Sequence, residues 1–228
     1  MKHSMAFLLL AGCCAADPAP ADPGPTADLE LQQIRGALSG PRTLRVKFKG
    51  EWPNAVGQMP RNVAGTVLLG DGDRARISMS VATAFGKTKS YEAVCDGKRL
   101  WRSPSVEALR FNPAPTALRF ELLYALSCHG LGWSFPHGTH PNTIGEGYVV
   151  LDMVPKRNAR PSHLERAGAL DHPCPEVDYR MRLTFDPASN LLRKRELIGD
   201  LDRVWYVESY EVEQNAGLAD GEFKLPEK

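Results

Sequence analysis

The sequence predicts a mainly β domain with helices, in which a curved antiparallel sheet carries an N-terminal helix and a central helical insertion. Apolar and polar residues alternate over about eight segments, which is the pattern of strands with one buried face and one solvent-exposed face. Tight turns rich in Gly and Asp join consecutive segments, as in an antiparallel meander. Two other segments space their apolar residues as a helix does.

The first element is a helix over residues 27–39. Thr26 suits its N-cap, and Asp28 and Glu30 in the first turn favour the helix dipole. Gly40-Pro41 ends the helix. Leu31, Ile34 and Leu38 recur at helical spacing and give it an apolar face that must pack against the rest of the domain.

Strands follow in a meander. They are predicted at residues 43–52, 63–69, 74–81, 88–95 and 98–101, with turns at residues 70–73 and 96–97. One or two short helices are expected within 104–127, where Leu118, Leu122, Leu123 and Leu126 fall at helical spacing. Residues 128–175 are rich in Gly, Pro and His, and only 147–153 resemble a strand. Further strands are predicted at 177–185, 191–198 and 203–213.

The N-terminus has the order of a secretory signal: Lys2, a short apolar run, and small residues leading to Cys13. The run is too short to cross a bilayer, which takes roughly 20 residues. Leu10-Ala11-Gly12-Cys13 resembles the lipobox of bacterial lipoproteins, which predicts a signal peptide over 1–12 and lipidation of Cys13. An ordinary signal peptide, or a cytosolic N-terminus with a chance cysteine, is the alternative.

Residues 13–26 therefore form the lipidated cysteine and a tether rich in Pro and Ala, and residues 27–228 form one folded domain. In the proteobacterial sorting pattern, Asp after the lipidated cysteine signals retention in the inner membrane. Position 14 is Cys, and this absence of Asp favours the outer membrane. We expect a location in the cell envelope, facing the periplasm. Lys and Arg total 28 against 27 Asp and Glu, so charge does not indicate a nucleic-acid partner.

Three cysteines remain in the domain, and an oxidising periplasm would allow one disulfide. We predict a Cys128–Cys174 disulfide, because both residues lie in the loop-rich central stretch where a cross-link would help most. Cys95 lies within a strand pattern and is expected to be a small buried core residue.

In sequence order, the amphipathic first helix, the basic strand 43–52, the Asp96-Gly97-Lys98 hairpin, the Phe185-Asp186-Pro187 turn and the closing Phe223-Lys224-Leu225-Pro226 resemble one family. The chain resembles the LolA/LolB-like superfamily of periplasmic lipoprotein carriers and receptors, which sort outer-membrane lipoproteins.

This resemblance implies an incomplete antiparallel β-barrel with a helical lid and an apolar interior that accepts acyl chains of lipoproteins or another lipid. It implies no catalysis and no cofactor. The soluble carriers normally lack a lipobox, so a lipidated member suggests a fixed acceptor rather than a diffusing shuttle. The receptor that has a lipobox also has a protruding apolar loop, which this sequence does not identify.

Binding an acyl chain needs large apolar side chains without charges, and burial contributes about 0.8 kcal/mol per methylene. The candidate ligand-lining residues are Val46, Phe48, Trp52, Val67, Leu69, Ile77 and Met79. The alternative is that these side chains fill a closed core, which is the commoner fate of alternating apolar residues.

Other chemistries have weaker support. Cys128, His129, His137, His140, His163 and His172 could in principle bind zinc or copper, but their spacing matches no closed site, so we predict exposed loop histidines and no metal. Common hydrolase and nucleotide-binding motifs are not found, so we do not expect an enzyme. A cell-envelope hydrolase with scattered residues and a structural lipoprotein are the other two function classes.

Overall fold

The computed structural model describes residues 27–53, 60–83, 85–103, 116–129, 137–145, 147–155 and 180–226. The α-helices are α1 (Ala27–Ser39) and α2 (Thr116–Tyr124), and a π-helical turn, Ala125–His129, continues α2. Short 3-10 helices lie at Asp200–Asp202 and Asp220–Phe223. The strands are β1 (Leu44–Glu51), β2 (Pro60–Leu69), β3 (Arg74–Thr83), β4 (Thr88–Asp96), β5 (Leu100–Ser103), β6 (His137–Gly145), β7 (Tyr148–Pro155), β8 (Arg180–Asp186), β9 (Leu191–Ile198) and β10 (Val204–Gln214).

The strands form one ten-stranded sheet in the order β5-β4-β3-β2-β1-β10-β9-β8-β7-β6. All of its pairings are antiparallel. Two meanders, β1–β5 and β6–β10, meet where β1 pairs with β10, with Leu44 opposite Gln214 and Glu51 opposite Val207. The sheet is curved and unclosed, since β5 and β6 remain its edges. The predicted class, an incomplete antiparallel barrel with helices, is confirmed.

The two faces of the sheet differ as the alternation in the sequence predicts. Along β1, Val46 and Phe48 are buried, whereas Lys47 and Lys49 are exposed. We call the face that carries Val46 and Phe48 the inner face and the opposite one the outer face. The apolar residues of α1 and α2 join the inner-face side chains in one hydrophobic cluster, so both helices cover the inner face.

Gly65 of β2 lies opposite Phe48 of β1 and Met79 of β3. A Cβ atom at this position would lie 2.4 Å from the Ser78 carbonyl oxygen and 2.8 Å from Phe48 Cε1. The absence of a side chain therefore lets the Phe48 ring pack across the neighbouring strand.

The predicted hairpin turn after β4 is present. Gly97 has φ 96°, and Asp96 Oδ1 accepts the N–H groups of Lys98 at 2.8 Å and Arg99 at 2.7 Å. These two N–H donors, together with the Arg99 side chain, lower the pKa of Asp96. The Asp-Gly pair thus supplies both the side-chain acceptor and the left-handed residue that the turn requires.

Helix α1 has the predicted bounds, and it buries Ile34 and Leu38 while contacting β6, β7 and β9. Helix α2 buries Leu118 and Leu122 and contacts β3. No helix among the described residues has both the length and the apolarity needed to cross a bilayer.

Strand β6 was not predicted, because its sequence contains Gly138, Pro141 and Gly145 and reads as a loop. It lies at the edge of the sheet, where it pairs with β7 and its register shifts between Pro141 and Thr143. Proline lacks the N–H group of a central strand but is tolerated at an edge or a bulge. The prediction that His137 and His140 lie in a loop is therefore wrong, because the backbone of both residues belongs to strand β6.

Cys95 lies on β4 and is fully buried, as predicted. Its burial raises the pKa of the thiol. Cys13 and Cys174 lie outside the described residues, and only the backbone of Cys128 is described, in the π-helical turn. The lipid anchor, the boundaries at 1–12 and 13–26, and the Cys128–Cys174 disulfide therefore stay predictions.

Candidate functional site: the inner face and its buried polar cluster

The structure brings the seven predicted ligand-lining residues together on or beside the adjacent strands β1, β2 and β3. Across these strands, Val46 pairs with Val67, and Val67 pairs with Ile77. All seven are buried, with exposed fractions of 5% or less: Val46, Phe48, Trp52, Val67, Leu69, Ile77 and Met79. Trp52 follows the end of β1 and packs on the Tyr206 ring, with 4.4 Å between the ring centroids.

Five helical side chains belong to the same cluster: Ile34, Leu38, Leu118, Leu122 and Leu126. Each has an exposed fraction of 2% or less. Over β1 to β3 the inner face is thus an apolar surface that packs against the helices. Among the described residues, these helical side chains occupy the place that a ligand on this surface would take.

A buried polar cluster interrupts this apolar face where β9 and β10 pair. We call Arg195, Glu208 and Tyr210 the Arg195 cluster; their exposed fractions are 1%, 0% and 4%. Arg195 Nη1 donates to the Tyr210 hydroxyl at 2.6 Å and lies 3.5 Å from Glu208 Oε2. The Tyr210 hydroxyl in turn donates to the Glu208 carboxylate.

The Arg195 cluster also fastens the end of α2 to the sheet. Arg195 Nη1 donates to the Ala125 carbonyl oxygen at 3.2 Å, and Nη2 donates to the Leu126 carbonyl oxygen at 2.5 Å. Carbonyl groups in the last turn of a helix lack partners within the helix, and a cation is favourable beside them. Arg195 supplies both the donors and the charge, at the point where α2 changes to a π-helical turn.

Burial, reinforced by the Glu208 carboxylate, raises the pKa of Tyr206 well above its ordinary value. Burial also raises the pKa of Tyr210, although the positive charge of Arg195 opposes this. Both phenols are therefore protonated at neutral pH. Tyr210 can bridge the charges by accepting from Arg195 and donating to Glu208.

Sequence reasoning missed the Arg195 cluster, although β10 carries a signal. Tyr206, Tyr210 and Val212 share one phase of this strand, and Glu208 is the charged residue in that phase. A carboxylate among apolar inward positions requires a buried partner. The sequence alone does not identify Arg195 as this partner, because the pairing depends on the register between β9 and β10.

The outer face has a different character. One cavity of about 590 Å³ lies over β1, β2 and β10, and another of about 380 Å³ lies over β2 to β5. The side chains around them that are exposed or half-buried on this face include Lys47, Lys49, Ala64, Thr66, Ser80, Ser90 and Ser209, which are small or polar. This surface offers little to an acyl chain.

Two large apolar side chains protrude from turns at one end of the sheet. Phe85, between β3 and β4, is 70% exposed, and Leu201, between β9 and β10, is fully exposed. Both turns lie at the end of the sheet where β1 ends. Glu51, the last residue of β1, pairs with Val207 near the start of β10 and with Asn62 near the start of β2. We call Phe85 and Leu201 the apolar rim.

Among the described residues, no group of three or more His, Cys, Asp and Glu side chains is arranged to hold a metal ion. The side chains of His137 and His140, as well as His163 and His172, lie outside the described part of the chain.

No protein-family model matches this chain, and no curated protein matches it in sequence. Solved structures with a similar arrangement include the Pseudomonas aeruginosa MucA/MucB complex, at 12% identity and a TM-score of 0.43, covering 88% of this chain and 61% of that one. LprF from Mycobacterium bovis is 12% identical, with a TM-score of 0.41 and coverage of 85% and 94%. This chain spans 60 to 62% of the length of the matched chains in the MucB structures.

A LolA superfamily protein from Nitrosomonas europaea is also similar, at 12% identity and a TM-score of 0.31, covering 88% of this chain and 98% of that one. These likenesses assign neither a family nor an activity to this chain.

Proposed function

We propose that this chain is a cell-envelope lipoprotein that binds acyl chains on the inner face of its sheet and takes part in lipid or lipoprotein transfer. The observation that supports it best is the inner face itself: strands β1 to β3, with Trp52 at the end of β1, present seven buried apolar side chains, and the short helix α2 packs on β3. Its partners would be acyl chains of a lipid or a lipoprotein.

The proposed opening step is a displacement of α2. When α2 leaves, an acyl chain takes the place of Leu118, Leu122 and Leu126 against the strands. Each buried methylene contributes about 0.8 kcal/mol, so a chain of moderate length offsets the loss of these leucine contacts. The hydrogen bonds from Arg195 to the π-helical turn oppose opening until a ligand is present.

The proposed location is the periplasmic side of the outer membrane, with the lipid on Cys13 as anchor. The tether after Cys13 contains four prolines between Cys14 and Thr26. An extended Pro-rich segment of this length spans about 40 Å, at about 3.1 Å per residue. The domain could then stand clear of the headgroups and turn its apolar rim toward the membrane.

Mass spectrometry of the full-length protein, purified from its native membrane, tests both parts of the proposal. We expect a diacylglyceryl modification on Cys13 and co-purifying acyl lipid. A Cys13→Ala variant should appear in the soluble periplasm and still carry lipid. A purely structural lipoprotein, or a hydrolase that does not retain lipid, would yield no bound acyl lipid, and an unmodified Cys13 would contradict the anchor.

A further inference from the structure

We infer that the Arg195 cluster is the polar end of the acyl site, and that it selects lipids with a neutral ester carbonyl over lipids with an anionic head. This inference rests on the proposed function, because it assumes that a lipid enters under α2. The cluster lies beside the apolar face: Tyr210 pairs with Phe48, which pairs with Gly65 beside Met79. An acyl chain whose head lies at Arg195 would therefore run across Phe48 toward β3.

The present partners of Arg195 indicate what a ligand must supply. The guanidinium donates to two neutral carbonyl oxygens, those of Ala125 and Leu126. Displacement of α2 removes both acceptors from a side chain that is 1% exposed. Arg195 keeps the Tyr210 hydroxyl and the Glu208 carboxylate as partners, but the donors that lose Ala125 and Leu126 are costly to bury without acceptors, so the ligand should replace these two carbonyls. An ester carbonyl offers the same acceptor chemistry as the lost peptide carbonyls.

Arg195 has a further donor to offer, because its Nε is buried and makes no hydrogen bond. A ligand carbonyl beside the guanidinium could accept from this group without any rearrangement of Tyr210 or Glu208. The closed state thus leaves one buried donor at the point where the proposed head would lie.

Glu208 decides the charge of the preferred head. Its carboxylate is fully buried and lies 3.5 Å from Arg195 Nη1, so the pair is neutral as a unit. Tyr206 and Tyr210, which face the pair, are protonated. The other buried carboxylate, Glu196, pairs instead with Lys194 at 2.7 Å. An anionic head would therefore be repelled by Glu208 without an unpaired cation to receive it.

Equilibrium binding of three radiolabelled lipids to the full-length protein tests this selectivity. The three lipids share a sixteen-carbon chain, so they bury about the same apolar area. Of these, 1-monopalmitoylglycerol has a neutral ester, 1-O-hexadecylglycerol lacks the carbonyl, and hexadecyl phosphate is anionic. We expect the ester to bind about tenfold more tightly than the ether, the effect of one hydrogen bond to a charged group. We expect the ester to bind more tightly than hexadecyl phosphate by at least about the same factor.

Glu208→Gln should reduce or remove the second preference, because it leaves Arg195 as an uncompensated cation. We expect hexadecyl phosphate to bind this variant about tenfold more tightly than it binds the wild type. Glu211→Gln, an exposed position on the same strand, is the matched control and should leave all three affinities unchanged. Circular dichroism verifies that each variant is folded.

The outcomes separate the two proposals. If none of the lipids binds the wild type, the proposed function fails and this inference fails with it. If the ether binds as tightly as the ester, or the phosphate more tightly than the ester, acyl binding stands and the selective role of the Arg195 cluster is overturned. This wild-type comparison decides the matter even if Glu208→Gln does not fold.

Discussion

Gly65 illustrates how a single residue determines the packing of the inner face. A methyl group there would overlap the Ser78 carbonyl and the Phe48 ring, so Gly65→Ala should destabilise the domain by about 1–3 kcal/mol. Gly36→Ala is the matched control, because no atom lies within 4 Å of a Cβ at that helical position. It should stabilise α1 by about 1 kcal/mol. Urea denaturation measures both, and an equal effect of the two changes would contradict this packing.

Arg195 and Glu208 should depend on each other for stability. Arg195→Met leaves the buried Glu208 carboxylate without its cation and should cost about 3–5 kcal/mol. Replacing both, as Arg195→Met/Glu208→Leu, should cost less than the single change, because no charge is left buried. Arg193→Met, which removes an exposed ion pair with Asp186, should cost about 1 kcal/mol or less. Additive losses in the double variant would show that the two charges are not coupled.

Acid stability should depend on two aspartates in turns. Backbone N–H donors and the Arg99 side chain lower the pKa of Asp96, and the Arg193 side chain and backbone N–H donors lower that of Asp186. A folded pKa below the unfolded value, about 3.9, stabilises the fold above that pH and loses this contribution as pH falls through the folded pKa. Asp96→Asn and Asp186→Asn should therefore make the free energy of unfolding fall less steeply below about pH 4. Unchanged steepness in denaturation curves between neutral and acid pH would refute this.

At the residue scale, alternation in the sequence was enough to find the apolar surface but not its polar end. Val46, Phe48 and Ile77 belong to one cluster because each lies in the inward phase of its own strand. Arg195 and Glu208 meet only because β9 lies beside β10 in one register. The residue pattern within either strand does not predict this pairing.

At the element scale, α2 should be the part of the inner face most readily exposed. It is one short helix followed by a π-helical turn, whereas the strands beneath it are hydrogen-bonded on both sides. Hydrogen exchange should be faster for the amides of Leu118 to Leu126 than for those of β1 and β2. In the Arg195→Met/Glu208→Leu variant, exchange in α2 should accelerate further while β1 is unchanged. Uniform acceleration of the whole domain would indicate a general loss of stability instead.

Elements with a strong period were predictable, and those whose existence depends on the sheet were not. Helix α1 has the predicted bounds because its apolar spacing and Gly40-Pro41 are local signals. Strand β6 contains Gly and Pro, and it is ordered as a strand through its pairing with β7. The pairing of β6 with β7 shifts its register between Pro141 and Thr143. Such an irregularity allows a proline in a strand, which its local propensity would disfavour.

At the scale of the whole molecule, the order of the strands brings the two ends of the domain together. Strand β1 pairs with β10, so the first and last strands occupy the centre of the sheet and β5 and β6 become its edges. Meander connections between neighbours follow from the turns in the sequence. The central pair does not, because it joins segments separated by most of the chain and has no local signal.

The central claim is that an acyl chain binds on the inner face beneath α2. A photoreactive palmitoyl probe, irradiated with the full-length protein and mapped by peptide mass spectrometry, tests it most directly. We predict adducts in β3 (Arg74–Thr83) and α2 (Thr116–Tyr124), removed by competition with unlabelled 1-monopalmitoylglycerol. No specific adduct, or adducts confined to the outer-face residues Lys47, Thr66 and Ser209, would contradict the claim.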